Sequence, residues 1–113
     1  MQVTYDFSGK NVVLIGGTTG IGRATALAFA KTGANLFVSG LGAAFGESLV
    51  GEVRDLGREC EFREVNVRDG AAMKRFHEEA FERFDRIDVA FNNAGVSGKT
   101  APVQELDDED YDL

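Results

Sequence analysis

Residues 11–15 (NVVLI) are β-branched and aliphatic with no polar alternation, a pattern that suits a strand buried on both faces of a parallel sheet better than an antiparallel edge. From there the chain alternates between short strand-like segments and stretches of helical period. Strands are expected at 11–15, 35–39, 61–66 and 87–91, and helices at 20–32, 43–57 and 70–84. In the first helix Ala24, Leu27, Ala28 and Ala30 are small or aliphatic and allow close packing on a sheet, and Gly33 suits a C-terminal cap. In the second, Phe45, Leu49, Val53 and Leu56 recur at helical spacing before Gly57 stops the helix. In the third, Asp69 is a fitting N-cap, and Met73, Phe76, Ala80 and Phe84 form one apolar stripe. Strict β-α alternation with right-handed crossovers predicts an α/β three-layer sandwich with a parallel sheet of about four strands in the order 3-2-1-4.

The first strand runs directly into glycines: residues 11–22 read NVVLIGGTTGIG. Gly16 permits a tight turn after the strand. Gly20 and Gly22 remove side chains at the opening of the next helix, where free N–H groups and the positive dipole end favour an anion such as a pyrophosphate. This is the physics of a dinucleotide-binding turn in a Rossmann-like fold, although the spacing is G-x-x-x-G-x-G rather than G-x-G-x-x-G. A second segment of related design lies at residues 87–95, IDVAFNNAG, where an apolar strand ends in two asparagines and a small-residue turn.

Composition narrows the picture. At 113 residues and 43% hydrophobic content, the chain is expected to form one domain with a single core. Its net charge of −7 is concentrated at the end: six acids follow Lys99, and residues 1–100 carry 13 acids against 12 bases. The bases are scattered among the acids, which argues against a nucleic-acid partner. The acidic residues 101–113 read either as a solvated tail or as the start of a helix whose remainder is missing. No apolar run approaches the roughly 20 residues that span a bilayer, and no basic segment followed by a hydrophobic stretch opens the chain, so no membrane association and a cytoplasmic location are expected. One cysteine, Cys60, and one histidine, His77, give no disulfide and no metal cluster. Cys60 reads as a semi-buried small hydrophobe and His77 as a surface or boundary residue.

Together, the glycine turn and the N-N-A-G segment resemble the short-chain dehydrogenase/reductase family, whose first loop is typically T-G-x-x-x-G-x-G and whose fourth strand ends in N-N-A-G. The resemblance runs from Gly9 to about Asp112, with Ile15 standing where the family usually has threonine. It implies an NAD(P)-dependent oxidoreductase and assigns cofactor contacts to Gly16, Thr18, Thr19, Gly20, Ile21 and Gly22 in the first loop. The hydroxyls of Thr18 and Thr19 could serve phosphate or ribose, or simply the turn itself. Ile21 would contact the cofactor through its backbone while its side chain packs inward. Gly40 takes the place of the aspartate that selects NAD, and Leu41 that of the arginine that selects NADP. With neither selector present, loss of the repelling carboxylate tilts the expectation slightly toward NADP. Arg23 either supplies the missing cation or is locally paired. Asn66 and Val67 match the family's Asp-Val pair that clamps the adenine, with an amide replacing a carboxylate. Asn92, Ala94 and Gly95 match the turn that runs beside the ribose next to the nicotinamide, and Asn93 is expected to tie strands together.

The family completes hydride transfer with a Tyr-x-x-x-Lys pair and an upstream serine, the lysine helping to lower the tyrosine pKa. That spacing is absent: Gly9 lies four residues after Tyr5, and Tyr111 has no residue four places on. The resemblance therefore implies the cofactor-binding half of an oxidoreductase, residues 1–100, with no catalytic residues and no activity by itself. Two other readings stay open: a free-standing nucleotide-binding module, and an interaction module whose uncovered strand four and sheet face pair with a second copy or dock on a complementary chain.

Overall fold

The computed structural model of the chain describes residues 5–93. β1 (Asn11–Ile15), α1 (Gly20–Lys31), β2 (Asn35–Gly40), α2 (Ala43–Asp55), β3 (Cys60–Glu64), α3 (Gly70–Phe84) and β4 (Val89–Asn92) follow one another in strict alternation. All strand pairs are parallel, and the sheet order is β3-β2-β1-β4, the order expected from the sequence. Strands three and four are each displaced from the expected ranges. β3 ends early because residues 66–69 turn on the Asn66 side chain, whose Oδ1 accepts from Arg68 N–H at 3.0 Å. β4 starts late because Asp88 serves its neighbour first: its Oδ2 accepts from Asn11 N–H at 2.9 Å and its own N–H donates to Asn11 O at 2.9 Å. That backbone donor, with Arg86 and Lys10 adding to its effect, holds the Asp88 carboxyl below the usual carboxylate range.

The absence of alternation in β1 has its cause in two covered faces. Val12 and Leu14 join Leu36, Val38 and Cys60 under α1 and α2, with Ala26, Ala30, Leu49 and Val53 packed on them. Val13 and Ile15 join Phe37 and Val65 under Phe76 and Ala80 of α3. The α3 stripe is the one expected, and Asp69 caps it, accepting from Ala72 N–H at 3.1 Å. Gly33 and Gly57 close α1 and α2 with paired reverse bonds: Gly33 N–H to Ala30 O with Ala34 N–H to Phe29 O, and Gly57 N–H to Arg54 O with Arg58 N–H to Val53 O, the Schellman arrangement.

Two helix faces differ from expectation. In α1 the buried line is Gly22, Ala26 and Ala30, while Ala24 and Ala28 are exposed, because closest approach at Gly22 sets the rotation of the whole helix. In α2 the buried line is Gly46, Leu49 and Val53. Phe45 stands 57% exposed, and Leu56 is exposed as well. Gly46 decides this: a Cβ there would lie 2.3 Å from the Phe62 ring, so the helix turns its one bare position toward β3. Cys60 is fully buried, deeper than expected. Among the described residues, Ala90 and Asn92 of β4 are exposed, while Val13 and Ile15 of β1 are covered.

Candidate functional site

In parallel register, Ile15 pairs with both Ser39 and Asn92, and Gly40 pairs with Glu64, so all four strands present their carboxyl ends on one edge. β1 feeds β2 on one side, while β4 lies on the other. This is the switch point at which open α/β sheets form a crevice.

The turn between β1 and α1 is suspended across that switch point. On one side, Gly16 and Gly17 N–H donate to Ser39 O at 2.9 and 3.0 Å. On the other, Asn93 N–H donates to Ile15 O at 2.8 Å and its Nδ2 reaches Gly16 O at 3.4 Å, the strand-tying role expected of it. Gly22 sits against the turn so tightly that a Cβ would lie 1.9 Å from Gly16 O. It is a packing glycine, bringing the first turn of α1 down onto the loop. Gly20 is the opposite case: φ is +59°, and nothing lies within 4 Å of the place of its Cβ. A helix N-terminus, whose first-turn N–H groups lack intrahelical partners, therefore opens toward space that no described side chain fills.

Thr18 and Thr19 behave differently. Thr18 is 5% exposed, and its Oγ1 donates to Leu41 O at 3.0 Å, binding the glycine turn to the end of β2. Thr19 is the exposed N-cap of α1 and makes no side-chain cap bond. Ile21 does not pack inward: it is 73% exposed, one residue round from the buried Gly22 line. Leu41 is likewise exposed, while Gly40 is buried beneath Thr18. Asn66 is exposed and Val67 half-buried in the turn after β3. Asn92 ends β4 in register with Ile15. Ala94 and Gly95 lie outside the described residues, as does the acidic segment 101–113.

Of the two readings of Arg23, the structure carries the local one. Its Nη1 donates to Thr18 O at 3.3 Å and Phe45 O at 3.0 Å, and its Nη2 to Ser48 Oγ at 3.0 Å and Glu52 Oε1 at 2.9 Å. It clamps the glycine turn to the first turns of α2. Glu64 escaped the sequence reading altogether. Its Oε2 accepts from Gly42 N–H at 3.0 Å, beside the end of β2, and only the pairing of β3 with β2 brings it there. Among the described residues no group of His, Cys, Asp and Glu could hold a metal ion, and no helix is long and apolar enough to cross a membrane.

A parallel sheet in this order, with a glycine turn at its switch point and an open helix N-terminus beyond it, defines a Rossmann-type dinucleotide fold. A family model described as "short chain dehydrogenase" matches residues 10–113, and the chain belongs to the short-chain dehydrogenase/reductase family. It is 36% identical over 105 residues to a 3beta-hydroxysteroid dehydrogenase of Mediterraneibacter gnavus, a match covering 93% of this chain and 38% of that protein. Among solved structures, it is similar to a Serratia marcescens short-chain dehydrogenase/reductase, with TM-score 0.80 and 28% identity over 96% of this chain and 44% of the other. It is similar also to a blue fluorescent protein from a metagenomic library in complex with NADPH, with TM-score 0.79 and 28% identity over 96% of this chain and 44% of the other. The chain thus spans about two fifths of the length of these relatives.

Proposed function

We propose that this chain is the NAD(P)-binding half of an oxidoreductase, with residues 1–100 as the dinucleotide-binding unit and 101–113 as an acidic tail or the start of a further helix. The observation that carries the reading is the open N-terminus of α1. Gly20 leaves the approach clear, Gly22 holds the helix down on the turn, and the first-turn N–H groups and dipole supply an anion site for the pyrophosphate. Gly16, Thr18, Thr19, Gly20, Ile21 and Gly22 would form that cradle. Gly40 and Leu41 would border the adenosine ribose, Asn66 and Val67 the adenine, and Asn92, Ala94 and Gly95 the ribose beside the nicotinamide. Thr18 would act by holding the cradle's two sides together, since its hydroxyl is spent on Leu41 O.

The bound nicotinamide would supply a hydride acceptor or donor. The chain's own residues bind and orient the dinucleotide; the Tyr-x-x-x-Lys pair that moves the proton in this family does not occur in the sequence. A cytoplasmic setting, where both nucleotides are available, fits this role. Titration with NADH, followed by nicotinamide fluorescence, tests the binding: saturable enhancement is the expected result, and none would refute the reading. NADPH or NADH oxidation with carbonyl substrates by the chain alone would refute the statement that it does not turn the cofactor over.

A second reading draws on β4, the outer strand of the sheet among the described residues, with Ala90 exposed on one face. An outer strand favours a second copy or a complementary chain. Association at micromolar concentration in light scattering is expected, and a monodisperse monomer would refute it.

A further inference from the structure

We infer that Glu64 selects the cofactor, favouring NAD over NADP, in place of the selector that the end of β2 lacks; the inference rests on the proposed dinucleotide site. The usual position is sterically closed. A Cβ on Gly40 would lie 2.7 Å from Thr18 Cγ2 and 3.0 Å from Thr18 Oγ1, and Thr18 is itself held by its bond to Leu41 O. Leu41, the next residue, is 62% exposed and carries no charge. No selector can therefore come from β2.

The neighbouring strand supplies one. Gly40 and Glu64 are register partners, and the Glu64 carboxylate accepts from the N–H of Gly42, the N-cap of α2, at 3.0 Å. That N–H lies two residues past the end of β2, and a carboxylate already occupies it. A 2′-phosphate, carrying about −1.5 to −2 charge at neutral pH, would meet a like charge and find the Gly42 N–H already engaged. A ribose 2′-hydroxyl would instead find an acceptor, because a carboxylate bound through one N–H keeps further lone pairs. The cation that could offset this, Arg23, is committed to Thr18 O, Phe45 O, Ser48 and Glu52. Arg63, one residue before Glu64, is paired with Glu79 at 2.7 Å and Glu61 at 3.6 Å. This reverses the slight tilt toward NADP that the missing selectors suggested.

The test is calorimetric titration of the protein with NAD+ and with NADP+, before and after Glu64→Gln. Glutamine keeps an acceptor for Gly42 N–H and removes only the charge, so folding is retained; circular dichroism checks this. The wild type is expected to bind NAD+ about tenfold or more tightly than NADP+, and Glu64→Gln to narrow that ratio by about fivefold, chiefly by improving NADP+. Glu64→Lys is expected to invert the order. Equal or better NADP+ binding by the wild type, or a ratio unchanged in both variants, would overturn the inference while leaving the site itself intact. Failure of both nucleotides to bind would overturn the site, and the inference with it.

Discussion

Replacing Gly22 by alanine isolates the contact on which the whole cradle depends. The added methyl would lie 1.9 Å from Gly16 O and 2.9 Å from both Gly16 C and Asn93 Nδ2. To reach 3.0 Å, the closest approach that real Cβ atoms show, helix and turn must separate by about 1.1 Å. Backbone stands on both sides, so no side-chain rotation relieves the clash. If the turn yields, it breaks its bonds to Ser39 O; if the helix yields, it lifts Ala26 and Ala30 from the sheet. Either way the cost belongs at the upper end of overpacking, about 3 kcal/mol. At about 4–8 °C per kcal/mol for a domain of this size, the midpoint should fall by roughly 12–24 °C. Gly20→Ala is the matched control: its methyl meets nothing within 4 Å, and only the left-handed backbone penalty of roughly 1–2 kcal/mol applies. Thermal unfolding followed by far-ultraviolet circular dichroism measures both. A Gly22→Ala midpoint within about 2 °C of wild type, or one lowered no further than that of Gly20→Ala, would refute the packing argument.

Arg23→Ala removes four hydrogen bonds, one to the glycine turn at Thr18 O and three to α2, and should destabilise the fold by about 1–2 kcal/mol in urea unfolding. It should also weaken NAD+ and NADP+ binding equally; a loss confined to NADP+ would mean that Arg23 reaches the 2′-phosphate after all. Burial pushes the Cys60 thiol up to about 12, the Arg54 charge drawing it slightly the other way. A thiol reagent at neutral pH should therefore label the protein only after denaturation. Because the folded value lies above the ordinary 9.0, the thiol's contribution to stability is fully present below about pH 9 and is lost as pH rises toward 12. Urea midpoints across that range should decline less steeply in Cys60→Ala, and identical slopes would refute the assignment.

The order of the strands was legible because β-α alternation with right-handed crossovers, taken with a glycine turn after the first strand, points to the 3-2-1-4 arrangement. The crevice was legible because a glycine turn after a buried strand has few other uses. The rotation of α1 and α2 was not, because the decisive positions are Gly22 and Gly46, which carry no hydrophobic signal and bury themselves by letting another atom in. Periodicity counts side chains, so it assigned Phe45 and Ala24 to faces that bare backbone occupies instead. Ile21 was misread for the same reason, its neighbour Gly22 having taken the inward position. Arg23 and Glu64 were beyond local reading for a different cause. Their partners lie about twenty residues away in sequence, and only the pairing of strands brings them to the end of β2.

The most direct test of the dinucleotide site is to follow backbone amide resonances of the protein during titration with NADH. The largest shifts are expected at Gly20, Ile21 and Gly22, with smaller ones at Gly40 to Gly42 and at Asn66 and Val67, and little change at the far ends of the strands around Asn11 and Cys60. Shifts centred away from the α1 N-terminus, or none at saturating NADH, would contradict it.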